Sequence, residues 1–160
     1  MTKPREANGY LEEHAARLIS SYAHWTGKDL VPAGSIVARA RRLFHAPYAA
    51  LSHDTEPDPI LNYANQSALA LFELTWEELI RLPSRRTAEP VEQAERERLL
   101  ATVAERGYID NYRGVRVTRT GRRFMIERAT VWNLLDEDGG YYGQAAMFSD
   151  WKYLGTRHEP

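Results

Sequence analysis

The chain has no cysteine in its 160 residues. A disulfide framework, a thiolate zinc site and a cysteine nucleophile are therefore excluded. It also lacks an excess of either charge. Lys and Arg number 21 against 22 Asp and Glu, for a formal net charge of -1. Phosphate binding needs a concentrated basic surface, so no nucleic-acid partner is expected. The nearest basic run, Arg39-Ala40-Arg41-Arg42, reads as a solvated helix face. Met1–Asn8 is polar with no apolar run behind it, which argues against a signal peptide. No apolar stretch approaches membrane-spanning length, and a cytoplasmic protein is expected. Repeats and low-complexity segments are also missing. What remains fits one domain with some extension, large enough to bury a core.

Asn8–Trp25 predicts an amphipathic helix. Leu11, Ala15, Leu18, Tyr22 and Trp25 recur at helical spacing, and Gly27 supplies the stop. A second helix is expected after Pro32, with Ser35 as its cap and Ile36, Ala40, Leu43 and Phe44 along its stripe. Two short strands, Pro47–Ser52 and Ile60–Tyr63, flank a Pro-rich turn. Asn65 stands in position to cap a helix, and Thr75-Trp76-Glu77-Glu78 has the spacing of a capping box. Val91–Arg106 predicts a longer helix with Val91, Ala94, Leu99 and Val103 inward and Gly107 past its end.

Tyr108–Trp151 is the most informative stretch. Three runs rich in Val, Ile, Tyr, Phe and Thr are parted by Arg119-Thr120-Gly121 and by Asp136-Glu137-Asp138-Gly139-Gly140. Both breaks carry residues that hairpin turns need. The result is an antiparallel meander, too apolar on both faces to leave either in water. Together with the two earlier strands it predicts an α+β fold with one five-stranded antiparallel sheet. Simple alternation puts Phe124, Ile126, Arg128, Thr130 and Trp132 on one face of the middle strand.

Several strings sharpen this order of elements. Tyr63-Ala64-Asn65, then Ala68-Leu69, then Thr75-Trp76-Glu77-Glu78-Leu79 resembles the corresponding string of PAS domains. More closely, the chain resembles the MEKHLA domain, a PAS-related family. The matching strings are Ser52-His53-Asp54, Pro59–Asn65, Leu82-Pro83-Ser84, Gly121–Phe124, Ala129–Leu134 and Gly143–Ala146, and they extend the resemblance from about Leu11 to Trp151. The resemblance implies a PAS-like sheet with helices on one face that enclose a pocket. The expected organisation is an N-terminal helical extension over 1–45, a PAS-like core over 46–151 and a tail over 152–160. It also implies one of two settings: the C-terminus of plant homeodomain–leucine zipper transcription factors, or a free-standing bacterial protein. The chain resembles the second, because it shows no homeodomain, no zipper heptads and no Met-Glu-Lys-His-Leu-Ala string.

Setting the strands on a PAS sheet directs Arg116, Arg128, Gln144 and Phe148 toward the pocket, with Thr130 and Trp132 beside them. Two guanidiniums and an amide among aromatic walls would suit a small carboxylate or phosphate, since Arg grips planar anions through paired hydrogen bonds. The competing reading is that Arg116 and Arg128 pair across strands with Glu127 or Asp110. A one-residue slip of register would exchange the faces.

No cofactor is expected. A flavin photoreceptor of this type needs a reactive Cys, and a haem domain needs an axial His, which Val91–Arg106 lacks. The five histidines, His14, His24, His45, His53 and His158, are scattered without ligand spacing, so no metal site is expected. The function expected is a non-catalytic sensory or regulatory module. An enzyme using His53-Asp54 and Tyr63, or a purely structural interaction module, stands as the alternative. An amphipathic helix outside a complete core needs cover. Leu11, Leu18, Tyr22 and Trp25 are therefore expected to form a homodimer interface.

Overall fold

The computed structural model describes residues 2–155. Along them run helices α1 (Glu12–Thr26) and α2 (Ile36–Phe44), strands β1 (Ala49–His53) and β2 (Leu61–Ala64), helices α3 (Gln66–Phe72), α4 (Trp76–Leu79) and α5 (Gln93–Arg106), and strands β3 (Tyr108–Val117), β4 (Arg123–Leu135), β5 (Tyr141–Phe148) and β6 (Asp150–Tyr153). Every strand pairing is antiparallel, in the order β2–β1–β5–β4–β3, with β6 also against β4. Thr130 opposite Met147 and Glu127 opposite Asp150 keep one register, so β6 continues β5 beyond a break at Ser149. The sheet is the expected five-stranded one with its last strand interrupted once. Lys152 and Tyr153, assigned from sequence to a tail, belong to this strand. Residues 156–160, with His158, lie outside the described residues. Among the described residues no helix is long and apolar enough to cross a membrane.

The helix ends follow the predicted capping chemistry. Ser35 accepts from the Ala38 amide, and Thr75 and Glu78 cap each other's backbone donors. Asn65 does more than cap α3. Its Oδ1 accepts from Ala68 N and Ala50 N, and its Nδ2 donates to Leu43 O and Tyr48 O, all within 2.8–3.1 Å. Two expectations shift. The first helix begins at Glu12, because Tyr10 and Leu11 take left-handed backbone behind a single 3-10 turn over Glu6–Asn8. The long helix begins at Gln93 after a 3-10 turn at Pro90–Glu92, so Val91 is 65% exposed rather than inward.

Helix α1 lies on one face of the sheet, over β4, and α3 and α5 lie on the other. Leu18 is fully buried, Tyr22 meets Trp132 edge-on at 5.0 Å, and Leu135 N donates to Ser21 Oγ. Trp25 donates its indole N–H to Asn133 O at 2.9 Å and presses its ring against Gly107, the turn from α5 into β3. Gly107 has φ +96°, and a Cβ there would stand 2.3 Å from the Trp25 ring. The segment expected as an N-terminal extension is thus one layer of the common core. Leu11, Leu18, Tyr22 and Trp25, expected to meet a second subunit, are taken up by the chain's own interior: Leu18 and Tyr22 are buried, and Leu11 and Trp25 pack partly buried against them.

Two bulges set the faces of the long strands. Between Ile109 and Tyr112 strand β3 has one residue more than β4, and between Ile126 and Ala129 strand β4 has one more than β3. Asn111 and Arg128 take up the extra length with left-handed backbone, both at φ 54°. Beyond Arg128 the alternation of β4 is inverted. Ala129, Val131 and Asn133 join Phe124 and Ile126 toward α5, while Thr130 and Trp132 turn to α1.

If α1 is core rather than dimer surface, Leu18→Ala removes a fully buried side chain. Denaturant unfolding is expected to show a loss of about 3 kcal/mol that does not vary with protein concentration. A change seen only in association, with unfolding unaltered, would show that α1 is an outer surface.

Candidate functional site

Between the α5 face of the sheet and that helix lies a cavity of about 80 Å³. Its apolar wall comes from Leu51 and Leu61, Phe72 of α3, Leu99 and Leu100 of α5, and Ile126, Val131, Ala146 and Phe148 of the sheet. Its polar groups are His53, Ser84, Thr87, Arg96, Tyr112, Arg116 and Gln144. The cavity is therefore apolar over most of its wall, with cations at one part of it.

Arg116 stands on β3 opposite Phe124 and is 8% exposed. Its Nη1 donates to Val115 O at 2.7 Å, its Nη2 donates to the Tyr112 hydroxyl at 3.2 Å, and Glu95 is 4.0 Å away. The Glu95 carboxylate is itself occupied by the Tyr112 O–H, at 2.8 and 2.9 Å. Burial pushes the Tyr112 pKa up to about 12, so the phenol stays a donor to that carboxylate. Arg96, on α5, is 6% exposed and donates through Nη2 to Ser84 Oγ. Burial, and then the charge of Arg116, lower its pKa to about 10. It remains cationic at neutral pH. Two guanidiniums thus share one small space, with Glu95 near Arg116 and the charges of Glu97 and Asp58 acting on Arg96 from outside the lining. Burying like charges together is costly unless an anion compensates them.

His53 faces the cavity from the end of β1. Its Nδ1 lies 2.9 Å from Asp54 O, a group that only accepts, so Nδ1 carries the proton. Its Nε2 is buried without a hydrogen-bond partner. Burial, and more weakly the charge of Arg96, lower the imidazole pKa against the opposing pull of the Asp54 carbonyl and of the Gln144 side chain close by, so the ring is neutral at neutral pH. Gln144 stands directly across from it on β5. The Gln144 amide donates to Leu100 O at 3.0 Å and to Asn133 Oδ1 at 3.1 Å, and Asn133 in turn donates to Val103 O. That leaves Gln144 Oε1 as an acceptor. Between them Gly143, at φ +136°, lets the His53 carbonyl approach to where a Cβ would be only 2.1 Å from it.

Of the six residues expected at the pocket, Arg116, Gln144 and Phe148 line it. Arg128, Thr130 and Trp132 do not. The Arg128 bulge carries its own side chain outward, 68% exposed, to pair with Asp150 at 2.9 Å. Thr130 and Trp132 fall on the α1 face. Arg128 does pair across strands, though with Asp150 rather than Glu127 or Asp110, and Arg116 does not. Arg96 went unrecognised, although Arg96, Leu99, Leu100 and Val103 repeat at i, i+3, i+4, i+7. An arginine in an apolar stripe was the available signal. The enzyme constellation does not assemble. Asp54 turns its carboxylate to the Glu56 and Ile60 amides, and Tyr63 stacks on His14 of α1.

Strand β1 links the cavity to α1. Leu51 and His53 point into the cavity, and between them Ser52 points the other way, pairing with Ala145. Its hydroxyl donates to Asn62 Oδ1 at 2.6 Å and accepts from His14 Nε2 at 2.9 Å. Burial, aided by Arg17, lowers the His14 pKa to about 4.

This layered sheet with its cavity is the PAS fold. The crystal structure of a PAS domain from Colwellia psychrerythraea superposes with a TM-score of 0.61 at 15% identity, covering 73% of this chain and 94% of that one. A light-oxygen-voltage domain studied with a flavin analogue gives 0.58 at 18% identity, covering 74% and 85%. Within that fold the chain belongs to the MEKHLA domain family, whose sequence profile matches residues 12–153. It is 28% identical to the homeobox-leucine zipper protein ATHB-14 of Arabidopsis thaliana over an alignment of 142 residues that covers 84% of this chain and 16% of that protein. The homeobox-leucine zipper protein HOX29 of Oryza sativa subsp. indica is 28% identical over an alignment of 145 residues that covers 86% of this chain and 16% of that protein. The chain thus spans about one-sixth of the length of these relatives.

A neutral buried His14 has a consequence for acid stability. Above pH 6.5 it is neutral both folded and unfolded, whereas between 6.5 and about 4 only the unfolded chain takes up the proton. Denaturant unfolding is expected to show roughly 3 kcal/mol lost across that interval. His14→Gln keeps a donor for Ser52 and should lose this share, with His53 supplying what acid sensitivity remains. An unchanged pH dependence in His14→Gln would contradict the assignment.

Proposed function

We propose that this chain is a PAS-type sensory or regulatory module whose input is a small anion held between Arg96 and Arg116. The observation that carries this reading is the charge of the cavity lining: two buried guanidiniums and no carboxylate among the residues that line it, with Glu95, Glu97 and Asp58 outside that lining and Glu95 already engaged by a phenol. An anion entering between them would relieve their repulsion and gain charge-assisted hydrogen bonds. The output proposed is the seating of α1. A ligand that draws α5 and β1 together moves Ser52 relative to His14 and Asn133 relative to Trp25, so it binds the two packings of α1 unequally and shifts their populations. Association with a partner chain would then act through the exposed side of α1 or α2, where Ile36 and Val37 are exposed, rather than through Leu18 and Tyr22.

Size and chemistry support a small ligand over a flavin or haem. The volume of about 80 Å³ is well below the roughly 300–1,000 Å³ of sites for drug-sized ligands. No cysteine is present to trap a flavin, and His53 offers its Nε2 beside two cations.

Native mass spectrometry of the chain purified from its source is expected to show a retained anion of low mass. Arg96→Ala and Arg116→Ala should each weaken its rebinding by about tenfold or more, the worth of a hydrogen bond to a charged group. An empty wild-type protein that no small carboxylate or phosphate stabilises thermally would refute the reading.

A further inference from the structure

We infer that the occupant of this cavity is a short hydroxy acid, with its carboxylate between Arg96 and Arg116 and its hydroxyl donating to His53 Nε2. The inference rests on the anion reading above and adds the chemical class. Two observations independent of the guanidiniums carry it. The first is the tautomer. With the Nδ1 proton given to Asp54 O, the unpartnered Nε2 of a histidine only 8% exposed is a lone pair facing the cavity. The second is Gln144, both of whose amide protons go to Leu100 O and Asn133 Oδ1, so it presents only Oε1. Side by side across β1 and β5, within reach of each other, stand two acceptors with no proton between them. A ligand that satisfies them must bring a proton, and a buried acceptor left alone is costly.

The remaining features narrow the donor. An ammonium group would supply protons, but no carboxylate lines the cavity to balance it beside Arg96 and Arg116. A neutral hydroxyl carries no such cost. At roughly 10–15 Å³ for each water-sized group, about 80 Å³ holds roughly five to eight non-hydrogen atoms. Leu51, Leu99, Val131 and Phe148 line the rest of the wall and suit a short alkyl part, which inorganic phosphate lacks. Lactate has the required groups and size. Pyruvate matches its shape and charge but replaces the donor with an acceptor, directed at two other acceptors. A site built to receive a hydrogen bond rejects the analogue that cannot give one.

Calorimetric titration of the whole chain with lactate, pyruvate and propionate separates the possibilities. Lactate is expected to bind tighter than either of the others by about tenfold or more, as an unsatisfied buried acceptor implies. His53→Leu should abolish the preference for lactate over propionate while leaving propionate bound, and Arg116→Ala should weaken all three. The wild-type ratios decide the matter even if a variant fails to fold. A nitrogen-15 spectrum adds a direct readout, since His53 Nε2 should resonate as an unprotonated nitrogen and shift with lactate. If lactate, pyruvate and propionate bind equally, the hydroxy-acid inference is overturned and the anion reading stands. If none of the three binds, the hydroxy-acid inference is overturned, and the anion reading is overturned with it only if inorganic phosphate and acetate also fail to stabilise the chain thermally.

Discussion

Asn65 is fully buried, and its carboxamide makes the four hydrogen bonds that such a group can make. All four go to backbone, and the backbone belongs to the end of α2, to β1 and its approach, and to the first turn of α3. No apolar contact would fix three elements so closely, because dispersion is non-directional and hydrogen bonds are not. The position of β1 is set here, and much else depends on it. β1 joins β2 to the rest of the sheet, presents Leu51 and His53 to the cavity, and presents Ser52 to α1. Loss of the carboxamide would leave carbonyls and amides unpaired in a region buried from solvent.

The capping residues were legible because their chemistry is local: Ser35, Asn65 and the Thr75–Glu78 pair each act within a few residues of themselves. The meander was legible for a similar reason, through its turn residues and β-branched runs. The faces of β4 were not. Alternation predicts them only for an unbroken strand, and the Arg128 bulge turns on an arginine in left-handed backbone, which no local propensity would favour. What allows it is the matching bulge at Asn111 on the neighbouring strand, a long-range pairing. One inserted residue moved Arg128, Thr130 and Trp132 out of the candidate site and brought in Val131 and Asn133. The placement of α1 was misjudged for another reason. Its stripe was read correctly, but a stripe does not say what it packs against, and the sheet face it covers is formed by residues far along the chain.

The cavity was half legible. Arg116, Gln144 and Phe148 lie on strands whose faces the bulges leave in phase with the prediction, so part of the cavity lining was visible. Arg96 had to be found by asking why a charged side chain recurs with Leu99 and Val103 on one helical face. Its value lies in electrostatics more than in contact. A single buried arginine is satisfied by carbonyls and a carboxylate, whereas two in a cavity lined by no carboxylate are the basis of the proposal of a negative guest. On that proposal His53 and Gln144 would restrict the guest further, since hydrogen-bond direction adds to what charge alone selects.

Trp25 rests its ring on the bare backbone of Gly107 and ties its indole N–H to Asn133 O. Seen as sequence drift rather than as packing, this joins two positions that are remote along the chain. Any side chain at 107 would occupy the volume of the Trp25 ring, and a smaller residue at 25 would leave a hole over the turn. Change at either position is tolerated only alongside change at the other, so the first helix and the turn into β3 must diverge together.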